Sequence, residues 1–335
     1  MRTMTMRSRG ALPLVLLVLG ALNALALLLQ IVLGDFPIPA HEALMAIFGS
    51  GSERFDLVVN RFRFPRALVA FLAGAGLALS GSILQGITRN PLASPGVLGL
   101  NSGAALFAVG CMVLVPGFPV ALLPFAAFAG AFLAALLSYF LAWRRGLSPV
   151  RLVLVGVGIS ASAGAVVSFL LTFSDLAQAK QAVIWMSGSV YGRSWEHFWP
   201  LLPWLAVGVP AALLLSRSLD VLQLGDSIAT GLGTRLERVR ALLLLLAVAS
   251  AGAAVAMAGT IGFVGLMAPH LARFMVGSMS SRLIPTAVLT GGLLVNVADL
   301  LGRTLATPLE IPCGILIALI GAPYMIYLLF KKRNQ

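Results

Sequence analysis

The chain is 335 residues long, 59% hydrophobic and only 10% charged, with a mean hydropathy of +1.00. Soluble domains carry about 25% charged residues, so a water-solvated globule is excluded and the solvent is a bilayer. The formal charge of +12 does not describe a nucleic-acid surface either: the arginines form no stripe with interleaved aromatics but stand in short gaps between apolar runs, as membrane topology requires.

In chain order, runs approaching the roughly 20 apolar residues a membrane helix needs occur near 11–33, 67–87, 97–116, 119–143, 152–173, 198–215, 241–258, 261–276, 284–301 and 312–330. They predict an all-α polytopic membrane protein of about ten spans, with residues 1–335 as a single transmembrane domain and no soluble one. The eighth run is short and interrupted by Pro269. The first follows Arg2, Arg7 and Arg9, and it exceeds the roughly 7–15 apolar residues of a signal peptide. It is expected to be retained, with its N-terminus inside.

Charge tests the count. With ten spans, sixteen of the 23 basic residues face the cytoplasm, including those at both termini (Arg2, Arg7, Arg9; Lys331, Lys332, Arg333). Without the eighth span the C-terminal cluster would lie outside, against the positive-inside rule. The exceptions are Arg54, Arg61, Arg63, Arg66, Lys180, Arg193 and Arg303. Segment 34–65 and Arg66 just after it hold four of them and read in two ways: something acidic docks there, or Asp35, Glu42, Glu53 and Asp56 balance it internally. An echo at one fixed offset, Ala78, Gly81, Ser82, Ile83 and Pro91 against Ala256, Gly259, Thr260, Ile261 and Pro269, suggests an inverted internal repeat of the kind transporters use.

Soluble catalysis has no residues to work with. The chain has no G-x-x-x-x-G-K-[ST] loop, and its lysines are only Lys180, Lys331 and Lys332. His41, His197 and His270 are far apart in sequence, while Cys111 and Cys313 sit in apolar runs as packing residues. No catalytic residue, metal site or cofactor is expected. Inside the spans only Asp299 is a candidate charge, with an i,i+4 ion pair to Arg303 as its simplest role. A proton relay is missing, so energy is expected from outside the chain.

Two loops carry more information. Between the second and third spans, Arg89 to Gly96 contains Asn90, Pro91, Leu92 and a second proline, Pro95, and forbids a continuous helix. Asn101 and Ser102 then place polar groups within the apparent span, which is tolerated where backbone lines a cavity. On the cytoplasmic side, Leu224 to Gly233 reads as a short helix started by Asp226 and ended by glycine. Its Leu224, Ile228 and Leu232, together with Leu222, call for a partner surface.

Several passages together resemble the FecCD-type permeases of ATP-binding-cassette importers for iron chelates, haem and cobalamin. They are Arg63-Phe64-Pro65-Arg66 with Gly74 to Gly81, Arg89 to Gly103, Gly259 to Leu266 with Ala268 to Arg273, and Ala298 to Arg303 through Glu310 to Pro323. The resemblance implies a cobalamin-importer-like (type II) permease in a bacterial inner membrane, with both termini cytoplasmic. Its implied partners are a second permease subunit, identical or homologous, two ATPase subunits and an external substrate-binding protein. It implies that Arg63, Arg66 and Arg303 receive acidic residues of the binding protein, and that Leu224, Asp226, Ile228, Thr230, Gly231, Leu232 and Gly233 meet the ATPase. Asn90 and Leu92 match an inner gate, with Pro91, Asn101 and Ser102 along the path. Ser148-Pro149-Val150 stands where cobalamin-type relatives have a polar second gate loop. Segment Trp185 to Trp195 is similar to versions in ferric-siderophore permeases, so an iron chelate is the expected cargo and haem or cobalamin the runner-up. An ion-coupled secondary transporter is the alternative from another class.

Overall fold

Each of the ten apolar runs becomes a helix, and the connections add five more. The computed structural model describes residues 8–34, 36–144, 146–305 and 309–333. Arg2, Arg7, Asp35 and Arg145 lie outside the described residues, as do the side chains of Arg9, Lys331, Lys332 and Arg333, so the charge count at the two termini is left to the sequence. In order the helices are α1 (Ser8–Val32), α2 (Ala40–Ile47), α3 (Glu53–Val58), α4 (Phe64–Thr88), α5 (Leu100–Leu114), α6 (Leu123–Ala142), α7 (Pro149–Thr172) and α8 (Leu176–Met186). There follow α9 (Trp195–Leu214), α10 (Ser216–Gln223), α11 (Asp226–Gly231), α12 (Leu236–Ala258), α13 (Val264–Val276), α14 (Ser280–Thr304) and α15 (Cys313–Arg333). A π turn, Val59–Arg63, runs into α4, and 3-10 turns precede α5 and α6. Among the described residues the isolated bridge Trp143–Leu147 is the only β pairing.

Among the described residues seven helices are long and apolar enough to cross a bilayer, while α5 and α13 are shorter. The shortfall has a structural reason. Helix α13 has 13 residues, about 20 Å at 1.5 Å per residue, and the predicted eighth run begins before it as non-helical backbone. Gly259 (φ +72°) ends α12 and Phe263 (φ +62°) opens α13. The predicted third run behaves alike: Pro95–Leu98 is a 3-10 turn and helix begins at Leu100.

Helix α4 is the axle. It is enclosed by α14, α12, α13 and α9, and 89% of its apolar window is buried, against 17% for α1. Its small residues allow this. A Cβ on Gly74 would collide with the backbone of Gly291 in α14, and one on Gly81 with the Gly265 carbonyl. The backbones are therefore in direct contact, the packing that drives helix association in lipid. From Arg66 to Arg89, α4 covers about 35 Å, so these two arginines mark opposite ends of the molecule.

The sequence echo does not preserve local structure. Gly81, Ser82 and Ile83 lie inside α4, whereas Gly259, Thr260 and Ile261 follow α12; Pro91 is in a turn and Pro269 inside α13. The offset therefore matches residue types and not equivalent positions.

Candidate functional site

At the first end of the molecule, segment 34–65 folds into a small cap whose core is Ile31, Ile38, Ala43, Ala46 and Val59. Three arginines meet beside it, Arg63 from the cap, Arg66 from α4 and Arg303 from α14. Arg63 donates from Nη1 to the Ile31 carbonyl (2.6 Å) and from Nη2 to that of Phe36 (2.6 Å), satisfying carbonyls that the end of α1 leaves open. Arg303, on α14, donates to the Gln30 carbonyl. Arg66 is held between two carboxylates. Its Nε and Nη2 reach Asp299 at 2.9 and 2.7 Å, and its Nη1 and Nη2 reach Glu310 at 3.2 and 2.8 Å.

The sequence paired Asp299 with its helical neighbour Arg303; the structure gives both Asp299 oxygens to Arg66 across the α4–α14 contact. Of the acids that could balance the cap, Asp35 lies outside the described residues. Asp56 accepts from Asn60 (2.7 Å), Glu42 lies beside His41 (3.8 Å), and among the described residues no ion pair joins Arg54 or Arg61 to Glu42, Glu53 or Asp56. Arg54 and Arg61 are exposed, while Arg63, Arg66 and Arg303 are only 8–9% exposed.

A cleft of about 380 Å³ opens over the buried arginines, lined by Arg63, Arg66, Arg193, Arg303, Tyr191 and Glu310. Arg193 lies 3.0 Å from His197 Nε2, its Nε is buried without a hydrogen-bond partner, and burial pushes its pKa down. Four guanidinium groups thus face two carboxylates. Of these, Asp299 is sealed (3% exposed) and Glu310 is reachable (29%). The arrangement suits an incoming anion.

At the opposite end, α10 and α11 form a shelf. Asp220 accepts from the Ser280 N–H (2.9 Å) and so caps α14. Leu222, grouped by the sequence with the outward leucines, is buried at 1% because it packs into the chain's own core. Leu224, Ile228 and Leu232 are 58%, 51% and 63% exposed. Thr230 donates to the Asp226 carbonyl (2.8 Å), Gly231 ends α11, and Gly233 (φ +78°) turns the chain toward α12. The Asp226 carboxylate takes Arg240 Nη2 at 2.6 Å and Arg89 Nη2 at 3.2 Å. Arg240, 1% exposed, also donates to the Leu147 carbonyl (3.0 Å). Ser148 and Pro149, which open α7, share a cleft of about 600 Å³ with Arg89, Asp226 and Arg240.

The remaining predicted residues lie between the ends. Asn90 is exposed, and its Oδ1 accepts from the Leu92 N–H (3.0 Å), a local turn bond that starts the loop through half-buried Pro91 and Leu92. Asn101 and Ser102 are half-buried in the first turn of α5, and Asn101 Oδ1 is buried with no hydrogen-bond partner. Pro95 meets Gly265 at the start of α13, where a Cβ would lie 2.6 Å from the proline ring. The structure therefore joins the two interrupted spans, and sets Ser148 and Pro149 beside Asp226 and not beside Asn101.

Three participants escaped sequence reasoning. Glu310 stood only within the family passage from Glu310 to Pro323, Arg193 only among the basic residues placed outside, and Arg240 counted as one more cytoplasmic arginine. A further feature was readable: Gly158, Ala161, Ser162, Ala165 and Ser168 recur at helical spacing on the exposed side of α7, which also carries Leu154, Val157, Val166 and Phe169.

Comparison with known proteins follows the same outline. Residues 22–331 match the model of the FecCD transport family. The chain is 43% identical over 306 residues to the iron(3+)-hydroxamate import system permease protein FhuG of Bacillus subtilis (strain 168), covering 89% of this chain and 91% of that one. It is 46% identical over 302 residues to the achromobactin transport system permease protein CbrC of Dickeya dadantii (strain 3937), covering 90% and 86%. A solved structure described as an inward-facing conformation of a metal-chelate type ABC transporter superposes with a TM-score of 0.86 at 31% identity, covering 95% of this chain and 99% of that one.

Proposed function

This chain belongs to the FecCD transport family, and from that membership we propose that it is the permease subunit of an ATP-binding-cassette importer for an iron chelate of the ferric-siderophore type. It is a multi-pass membrane transport subunit, and ATP hydrolysis belongs to partner subunits. Residues 1–335 act as one transmembrane permease domain in a bacterial inner membrane, with the Asp226 end and both termini cytoplasmic. A second permease, identical or homologous, completes the path; two ATPases and a binding protein complete the importer.

The single observation behind this mechanism is that one buried helix pair, α4 and α14, joins a cationic cleft at one end to an exposed apolar shelf at the other. A loaded binding protein presents a carboxylate to the cleft of Arg63, Arg66 and Arg303, where it replaces Glu310 on Arg66. Such charge pairing sets encounter rate and register. The ATPase seats Leu224, Ile228 and Leu232, burying side chains that water otherwise covers at about 25 cal/mol per Å². The cargo passes along the small and polar face of α7, with the loops at Asn90 to Leu92 and at Ser148 and Pro149 closing the inner side; it forms no covalent bond to the chain. Ferric siderophore cargo is supported by the relatives, which are named as permeases for iron(3+)-hydroxamate and for achromobactin.

The test is reconstitution. The complete complex in sealed liposomes is expected to accumulate ferric hydroxamate or ferric citrate only with ATP and binding protein. Accumulation by this chain alone, driven by a proton or sodium gradient, would overturn the reading.

A further inference from the structure

The exposed shelf is not simply attached to the helix bundle: a single carboxylate ties it to two loops. Asp226 opens α11, and its Oδ1 receives both Arg240 (2.6 Å) and Arg89 (3.2 Å). The two arginines stand on different elements, Arg240 in the first turns of α12 and Arg89 at the C-cap of α4. Arg89 immediately precedes Asn90 and Pro91. It is held at φ +53°, a conformation that non-glycine residues adopt rarely and that marks strained, functional backbone. Arg240 reaches past Asp226 to the Leu147 carbonyl at 3.0 Å, the residue before Ser148 caps α7. Gly225, at φ +111°, lets this happen: it presents no side chain where Arg89 Nη1 passes, 3.4 Å from where a Cβ would stand.

The physics makes the joint stiff. Arg240 is 1% exposed, so leaving its charge without Asp226 would strand it away from water, which is strongly disfavoured. Moving Asp226 therefore moves Arg240, and Arg240 carries the Leu147 carbonyl with it. The other end of the shelf is pinned, because Asp220 caps Ser280 at the start of α14. One anchored end and one tethered end describe a lever.

We propose that Arg89 and Arg240 are positioning residues that pass displacement of α11 through Asp226 to the loops at Asn90–Leu92 and Leu147–Pro149, so that one ATP-driven movement opens or closes both. This rests on the reading above that α11 meets an ATPase. It adds that the connection from ATPase to gate is ionic, runs through one carboxylate and serves both loops at once.

The experiment uses the complete complex in proteoliposomes, with ⁵⁵Fe-labelled ferric hydroxamate and ferric citrate as probes. Arg89→Gln and Arg240→Gln are expected to keep ATP turnover within about twofold of the unsubstituted complex while iron moved per ATP falls about tenfold or more; Arg240→Lys, which can still pair with Asp226, should recover much of that loss. A cargo-independent readout accompanies it: nitroxides at Asn90 and Ser278, in a permease with Cys111 and Cys313 replaced by serine, report whether the loop moves when the ATPase is trapped with vanadate. A trapped shift that is present in the unsubstituted complex and absent in Arg89→Gln supports the proposal. Equal shifts in both, or an iron-to-ATP ratio unchanged within about twofold, overturn it. Should Arg240→Gln fail to assemble, Arg89→Gln decides alone, since that side chain is 37% exposed. An unsubstituted complex that neither accumulates iron nor shifts on trapping defeats the importer reading itself, an outcome distinct from uncoupled variants of a working importer.

Discussion

Arg66 shows how one residue can look like a surface charge and be a core element. Four donor contacts to Asp299 and Glu310 leave it 9% exposed, and the two acids differ in what they do. Asp299 is sealed, so Asp299→Asn leaves a buried guanidinium undercompensated, a loss of about 3–5 kcal/mol for a broken buried pair; a large drop in the melting temperature of the purified permease checks this. Glu310 sits at the mouth of the cleft. Glu310→Gln should cost little stability and should tighten binding-protein docking by about tenfold, the effect of removing a competing contact of about 1.4 kcal/mol. Surface-plasmon measurement on the purified complex reads it, and unchanged or weakened docking would show that Glu310 does not compete for Arg66. For the same reason Arg66→Glu tests folding before it tests docking.

Among elements, the α4–α14 contact and α11 pose opposite problems. The first has no spare volume. A Cβ on Gly291 would meet Ala78 at 2.5 Å as well as the Gly74 backbone, so Gly291→Val forces the helices apart at about 1–3 kcal/mol, measurable as a lower melting temperature and weaker transport. The second has an unfilled partner. Leu232→Asp, at a 63% exposed position, should leave the fold intact and sharply reduce the ATPase that co-purifies; full stoichiometry would remove α11 from that interface. Helix α13 is short for a different reason. Its chain crosses part of the thickness as non-helical backbone from Gly259 to Phe263, which is tolerable because Ile261 and Val264 are buried in protein and not in lipid.

For the whole molecule, the proposed topology puts the Arg66 and Asp226 ends in different compartments. Cysteines at exposed Ser50 and Ser278 should therefore be labelled by an impermeant reagent from opposite sides of intact cells and inverted vesicles; labelling of both from one side would contradict the topology. Much of this architecture was readable in advance. All ten runs became helices, because a bilayer demands continuous apolar length whatever the packing. The break at Arg89 to Gly99 followed from Pro91, Pro95 and Gly96. Helices α8 and α10 were not foreseen: they are short and sit in loops, where periodicity is weak. The Asp299 pairing was misassigned because helical spacing predicts neighbours within a helix and is silent about the helix packed against it.

Sequence alone settled the solvent, the number of apolar helices and the loops that had to leave helical geometry, since these depend on local composition and on backbone rules for proline and glycine. Tertiary structure alone decided which arginines are buried, which carboxylate each one meets, and that Asp226 serves two loops at once. Those contacts join residues 137 or more positions apart for Arg89 with Asp226 and 233 for Arg66 with Asp299. A charge finds its partner only after the helices carrying both have packed.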